Sequence, residues 1–450
     1  SSGQFFVETS TNTSYGDYTD GDVLGWFVKN SKLYVRKNNS DVVGDVVNVS
    51  GGIDISGDLF FPAVSRTVGG GTQTTAILRP DSDSWSYTPP SGFKGLTSKD
   101  MFISSDIDPA GDDGETENPQ KQFNVVTYTG NGSTINVTGA GFQPDFVWIK
   151  GRSVGYDNMM FDTNRGTNKI IKSNSDAAEI TTVSTALTSF DSDGFTYGSE
   201  ASGNQSSATY VAWMWKCNGG TTVTNNDGSM TSTVQANTKA GFSIVTYTGD
   251  GSDGTVGHGL DKAPELVMSK RRDGTGSWYT LHSSLGTGYF ELNGTGTYQS
   301  GSVPFSSSLP TENVVGATSA NRISSQTFIY YCWHSVDGYS RFGLFQGNGD
   351  TDGPFVYTGF RPRLVFCKNS AASENWQVRD TARSTFNASS QVRIYWNATS
   401  AEGSASTASP IEFLSNGFKV IGSNSEINGN GQQIAFGAWG DVPFKYNNTF

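Results

Sequence analysis

Charge is scarce in this chain. Only 16% of its 450 residues are charged, and the excess is acidic, with a net charge of −12 and a pI of about 4.7. That balance excludes the basic face that displaces counterions from nucleic acid, and it argues against an anionic membrane surface. Long apolar runs are missing too. Without about 18 consecutive apolar residues there is no membrane-spanning helix, and membrane insertion is not expected. Histidine is reduced to His258, His282 and His334, far apart and without metal-ligand spacing such as H-E-x-x-H. There is no G-x-S-x-G elbow and no Walker loop, so neither a metal nor a cofactor is expected. The three cysteines, Cys217, Cys332 and Cys367, cannot all pair within one chain. Cys332 and Cys367 sit in apolar strand contexts, where free cysteine behaves as a small hydrophobe. Buried free thiols are therefore expected, which suits folding in a reducing cytoplasm. Helical periodicity is nearly absent, and Ser175–Thr182 is the one modest helix candidate.

What is present points the other way from disorder. Aromatics make up 12% of the chain and glycine contributes 55 residues, whereas a disordered chain is poor in aromatics and rich in charge. Phe146-Val147-Trp148-Ile149 is a continuous apolar run bounded by Pro144 and Gly151, as in a strand buried on both faces. Tyr210–Trp215 is β-branched and aromatic, another strand signal. Between such runs lie Gly130-Asn131-Gly132, Asp193-Gly194, Asn348-Gly349 and Asn416-Gly417, residues that accept positive φ in tight turns. The fold class predicted is all-β, as tandem antiparallel β-sandwich domains of jelly-roll or concanavalin-like type.

One pattern occurs three times. FNVVTYTGNG (Phe123–Gly132), GFQPDFVWIK (Gly141–Lys150) and YVAWMWK (Tyr210–Lys216) form the first copy. FSIVTYTGDG (Phe242–Gly251), APELVMSK (Ala263–Lys270) and FIYYCWH (Phe328–His334) form the second. RFGLFQGNG (Arg341–Gly349), GFRPRLVFCK (Gly359–Lys368) and IAFGAWG (Ile434–Gly440) form a more diverged third. Tyr128, Tyr247 and Phe345 share one position, and Pro144, Pro264 and Pro362 another. Lys150, Lys270 and Lys368 share a third, and Trp215, Trp333 and Trp439 a fourth. The step from Tyr128 to Tyr247 is 119 residues and that from Tyr247 to Phe345 is 98, far above the roughly 20–50 residues of solenoid and propeller repeats. A period of domain size predicts three beads, each with its own core. The organisation expected is a sandwich over 1–98, an acidic linker over 99–121, and repeats over 122–220, 241–336 and 339–450.

Residues that could carry chemistry are few. Asp162 with Arg165, and Asp380 with Arg383, fall at equivalent places in the first and third copies; the second has His282 and Leu285 there. A glycosidase needs a carboxylate pair in one site, which one Asp per copy does not supply. A local Asp–Arg ion pair is the simpler reading, and a sugar-binding Asp–Arg the sharper one. Trp278, Tyr279 and Trp376 follow polar turns at equivalent positions; exposed, they could stack on sugar rings or anchor an interface, and otherwise they are core. Trp215, Trp333 and Trp439 read as core. Asp106, Asp108, Asp112, Asp113 and Glu115, and the Asp350/Asp352 turn, could offer oxygens to calcium, but the spacing fits no EF-hand and a solvated linker is the plainer reading. Gly130-Asn131-Gly132 lacks the Lys-Ser/Thr of a phosphate cradle and reads as a turn.

Two resemblances complete the picture. DVLGWFVKNSKLYVRKNN (Asp22–Asn39), LFFPAV (Leu59–Val64) and WSYTPPSGFKGL (Trp85–Leu96) resemble, in order, the motifs of a SPRY domain, a concanavalin-like binding module. Here it is abridged, and Ile77-Leu78-Arg79-Pro80 replaces the usual Asn-Phe-Gly. FDSDGFTY (Phe190–Tyr197), TYVAWMWK (Thr209–Lys216) and DGPFVYTGF (Asp352–Phe360) resemble modules of bacteriophage tail-fibre and receptor-binding proteins, notably of marine phages. That resemblance implies a non-enzymatic virion protein of the tail, assembled in the bacterial cytoplasm and acting in host attachment. It implies a homo-oligomer, a trimeric fibre being one form, with other virion tail proteins and a host cell-surface glycan or protein as partners. Two alternatives follow: a purely structural spacer, collar or head-decoration subunit, which predicts that Trp278 and Trp376 are buried or sit in subunit interfaces, and a tail enzyme that degrades surface polysaccharide.

Overall fold

The structure, a computed structural model, describes residues 121–440 apart from 182, 302–303, 385–390 and 407–409, together with 3–7, 13–18, 22–29, 32–44, 50, 53–54 and 86–88. The chain divides into two units, Ser1–Met101 and Phe102–Phe450. In the first, Gly3–Val7 pairs with Thr13–Tyr18, and Leu24–Lys29, Lys32–Lys37 and Ser40–Val43 form an antiparallel meander to which Ile53–Asp54 adds. Among its described residues, Leu33, Tyr34, Val35 and Val43 are buried. The LFFPAV segment, most of the Trp85–Leu96 segment and the acidic linker up to residue 120 lie outside the described residues.

In the second unit every named strand pairing is antiparallel, and each repeat is a β-sandwich. The inner sheets share one order. The opening strand (Phe123–Thr129, Phe242–Thr248, Ser340–Gln346) pairs with the closing strand (Thr209–Trp215, Thr327–Trp333, Gln433–Gly440). The closing strand pairs with the Pro-led strand (Phe146–Gly151, Leu266–Arg271, Pro362–Asn369), and that with a fourth (Met159–Asp162, Tyr279–His282, Gln377–Asp380). A smaller outer sheet covers each: Ile135–Thr138 with Leu187–Asp191 and Gly194–Tyr197; Gly254–Gly257 with Val314–Ala317; Asp352–Tyr357 with Ile411–Leu414 and Gly417–Ile421. No helix forms over residues 175–181, and the α-helices among the described residues are the short Ala201–Asn204 and Ser425–Asn428.

The copies are not separate beads. Side chains alternate across a strand, and here both faces are buried. Tyr210, Ala212 and Met214 point into an outer core belonging to repeat 1 alone, while Val211, Trp213 and Trp215 point into a core common to all three repeats. Phe328, Tyr330 and Cys332 against Ile329, Tyr331 and Trp333 repeat the division, as do Ile434, Phe436 and Ala438 against Ala435 and Trp439. The three inner sheets thus turn one face to each other. At their meeting point the rings of Trp215, Trp333 and Trp439 lie 5.3–6.1 Å apart, edge to face. Their Nε1–H groups have no hydrogen-bond acceptor; edge-on packing offers such donors ring faces instead of oxygen. Burying one indole, roughly 200 Å², contributes on the order of 5 kcal/mol by area. Gly437 occupies the place of Trp213 and Tyr331, and a Cβ there would sit 2.3 Å from the Phe366 ring. All three cysteines are free and buried.

Candidate functional site

The Asp–Arg pairs sit on the seams between repeats. Asp162 ends the fourth strand of repeat 1, and its two oxygens accept from the Arg165 backbone N–H (2.8 Å) and Nε (2.5 Å). The same carboxylate accepts from the Tyr331 hydroxyl of repeat 2 at 2.6 Å. Arg165 continues to Glu179, which Arg272 of repeat 2 grips from the other side at 3.0 Å. Repeat 3 builds the same set toward repeat 1. Asp380 accepts from the Arg383 backbone N–H (2.9 Å) and Nε (2.7 Å), and from Trp213 Nε1 at 3.0 Å. Arg383 continues to Glu402, which pairs with Arg152. The second repeat substitutes less polar parts at its seam with repeat 3: His282 Nε2 faces the Phe436 carbonyl at 3.1 Å, and the Tyr298 hydroxyl donates to the Leu285 carbonyl. Each repeat therefore reaches the next in the same sense, and the ring closes.

The equivalent lysines close it in the opposite sense. Lys150 Nζ donates to the Tyr156 carbonyl of its own repeat and to Thr399 of repeat 3. Lys270 donates to Gly276 and to Asp176 of repeat 1, and Lys368 to Glu374 and to Thr295 of repeat 2. All three side chains are buried, and burial pushes each ammonium down to about 8. An ammonium has three donors and no acceptor, so it suits a cage of carbonyl oxygens.

Electrostatics follow the same geometry. Burial works against the charge of Arg165, but Asp162, Tyr331 and Glu179 outweigh it and hold the guanidinium above its ordinary range. Burial likewise raises Glu179, and the hydrogen bonds and charges of Arg272 and Arg165 bring it below the usual carboxylate range. Burial lowers His258 to about 4 and moves His282 and His334 downward. It raises the Cys367 thiol to about 12 and raises the Cys217 and Cys332 thiols as well.

The aromatic candidates are inside. Trp278 and Trp376 are 0% and 1% exposed. The Trp278 Nε1 donates to the Lys172 carbonyl of repeat 1, and Trp376 Nε1 to Glu291 of repeat 2. Asn158 fills the corresponding place in repeat 1 and donates to Tyr395 and Ala398 of repeat 3. Stacking of Trp278 or Trp376 on a ligand from outside is therefore ruled out by burial, and so is ligand contact by Asp162, Arg165, Asp380 or the Arg383 side chain, which the seams enclose. Tyr279, next to Trp278 and so on the opposite face of its strand, packs half-buried against Tyr289 in the outer core of repeat 2.

The remaining candidates are structural in their contacts. Asn131 in the Gly-Asn-Gly turn accepts from Ser133 N–H and Asn204 Nδ2, and a Cβ on Gly130 would meet the Gln205 carbonyl at 2.3 Å. The carboxylate of Asp350 caps its own turn by accepting from Asp352 N–H. Among the described residues no group of His, Cys, Asp or Glu is arranged to hold a metal ion, and no helix is long and apolar enough to cross a membrane. The acidic set Asp106–Glu115 lies outside the described residues.

Exposed chemistry gathers instead on repeat 3. Phe355 and Tyr357 alternate with buried Val356 on the outer sheet and are 47% and 65% exposed. The Phe355 ring lies across Gly417 of the neighbouring strand, where a Cβ would come within 3.0 Å of it, and the Tyr357 ring lies beside Gly359. Lys419 pairs with Phe355 across the strands, forms an ion pair with Asp352 at 2.6 Å, and pairs on its other side with Glu412. Both aromatics stand in the DGPFVYTGF segment; placing that segment strand by strand against the other copies, rather than as a motif, would have singled them out.

Residues 118–443 match a protein family described as a domain of unknown function, DUF7483. No curated protein matches the chain.

Proposed function

This chain belongs to the DUF7483 family, and we propose that its work is structural and non-enzymatic: three sandwiches fused into one rigid body that carries surfaces outward. The observation behind this reading is the closed ring of seams. Asp162 with Arg165, Asp380 with Arg383, the three lysines and the indoles of Trp278 and Trp376 are the groups best able to do chemistry, and all are engaged in joining repeats. A glycosidase carboxylate must reach substrate and water, and enclosed Asp162 and Asp380 meet neither.

The setting is a virion, with the chain as a component of a tail fibre used in host attachment; this part rests on the likeness of the repeat motifs to tail-fibre modules. Burial of Trp278 and Trp376 favours a spacer, collar or decoration role over receptor contact through those two residues. A rigid body with little charge suits either position, since it resists indiscriminate sticking.

Two measurements test the reading. The purified chain, incubated with bacterial lipopolysaccharides and capsular polysaccharides, should release no new reducing ends; chain shortening would contradict a non-enzymatic role. Antibodies raised against the chain should label assembled particles of a virus carrying its coding sequence. Labelling confined to infected cells would remove the virion setting.

A further inference from the structure

From the outer face of repeat 3 we infer a saccharide-binding site built on Phe355 and Tyr357, which deepens the attachment side of the reading above and rests on it. The repeats supply an internal control. The buried valine of the outer strand is Val137, Val256 or Val356, one in each outer core. Its flanking positions are Asn136 and Thr138 in repeat 1, Thr255 and Gly257 in repeat 2, and Phe355 and Tyr357 in repeat 3. Two of three copies build the same strand with small polar residues or glycine, so the fold does not demand aromatics there. Exposing two large rings costs solubility without adding core, and a ligand is what such rings serve.

The geometry selects the ligand class. Both rings lie beside glycines, Gly417 and Gly359, whose lack of a side chain leaves room for them on the sheet surface. A β-bulge between Asp352 and Phe355 re-aims this stretch, as bulges beside binding sites do. Next to the rings stand an ammonium and two carboxylates, Lys419, Asp352 and Glu412. Flat apolar faces flanked by donors and acceptors match a sugar ring, whose C–H face stacks and whose hydroxyls hydrogen-bond. A protein partner or a second copy fits poorly. At 47% and 65% exposure the rings present roughly 200 Å², against about 800 Å² per partner in a stable protein interface.

The test is affinity electrophoresis of the full chain through gels containing lipopolysaccharide O-chain, capsular polysaccharide, dextran or galactomannan. Retardation is expected in at least one gel. It should fall at least tenfold in apparent affinity in the double variant F355N/Y357T, which copies the residue types of repeat 1 and so keeps the strand. Unchanged thermal melting of the variant separates loss of binding from loss of fold. Absence of retardation in every gel with folded protein, or equal retardation of the double variant, overturns the site while leaving the structural role standing. Self-association that the double variant abolishes, without retardation by any polysaccharide, also overturns it and makes a second copy the occupant. Polysaccharide shortening would instead overturn the non-enzymatic reading.

Discussion

The Tyr331 hydroxyl donates a 2.6 Å hydrogen bond to the carboxylate of Asp162, although the two residues belong to different repeats. The phenol stands on the closing strand of repeat 2 and the carboxylate at the end of the fourth strand of repeat 1. Trp213 and Asp380 repeat the relationship between repeats 1 and 3 at 3.0 Å. A contact made twice by equivalent positions with different donors is a property of the architecture rather than of one residue pair.

Breaking a buried ion pair by removing one partner is costly because it strands the other charge. Asp162→Asn should therefore destabilise the second unit by about 3 kcal/mol, measured as a shift in the denaturant midpoint with unchanged slope. The double variant Asp162→His with Arg165→Leu copies the residues of repeat 2 and removes both charges, so it should cost less than the single change. A double variant as damaging as the sum of its parts would refute the account of this seam.

Tyr331→Phe removes only the hydroxyl. A hydrogen bond to a charged group contributes about 1.5–3 kcal/mol, and equilibrium unfolding should show a loss in that range with the Trp333 packing intact. A loss below about 0.5 kcal/mol would mean that the Arg165 backbone N–H and Nε already satisfy Asp162.

Acid should weaken the fold through His258. Leu260 N–H donates to His258 Nδ1, and Nε2 faces the Thr311 carbonyl, so the native ring is held neutral with its proton on Nε2. Its pKa falls from 6.5 to about 4 on burial. The unfolded state then binds more protons between those values, and stability is lost as pH falls from 6.5 toward 4. His258→Gln should flatten that part of the stability–pH curve; an equally steep curve in the variant would contradict the assignment.

The lysine cages act in the opposite range. Lys270 has its pKa lowered from 10.5 to about 8 by burial, so the unfolded chain binds more protons between pH 8 and 10.5 and the lysine's contribution to stability rises with pH across that window. The stability of the parent relative to Lys270→Met should increase from pH 8 to 10. A constant difference would mean that the ammonium is not desolvated.

Much of this was legible in the residues. Turn glycines, period-two runs and the apolar context of Cys332 and Cys367 led to antiparallel sandwiches with buried thiols. The same strands held a clue to the shared core. Tyr210–Trp215 and Phe146–Ile149 are apolar at every position, whereas a lone sandwich needs only one buried face per sheet. Strand pattern states that a second face is covered but not by what, and the covering surface here lies about a hundred residues away. Trp278 and Trp376 keep two readings open for a local reason: each follows a polar turn, which suits an exposed ring as well as a core one, and only the neighbouring repeat's Lys172 and Glu291 carbonyls decide for burial. Lys150, Lys270 and Lys368 stood out only as an aligned position, because carbonyl cages are made of backbone and leave no mark in side-chain composition. Phe355 and Tyr357 were overlooked because exposed aromatics in a strand pattern resemble core.

The measurement that bears most directly on the closed ring is native-state hydrogen exchange of the full chain in increasing denaturant, read at three closing strands: Thr209–Trp215, Thr327–Trp333 and Gln433–Gly440. With one core common to all repeats, the three strands should open with the same free energy and the same denaturant dependence, and Asp162→Asn should lower all three together, including the strand in repeat 3 that does not touch Asp162. Three distinct opening energies, with the effect of Asp162→Asn confined to repeats 1 and 2, would contradict the account and return the chain to three independent beads.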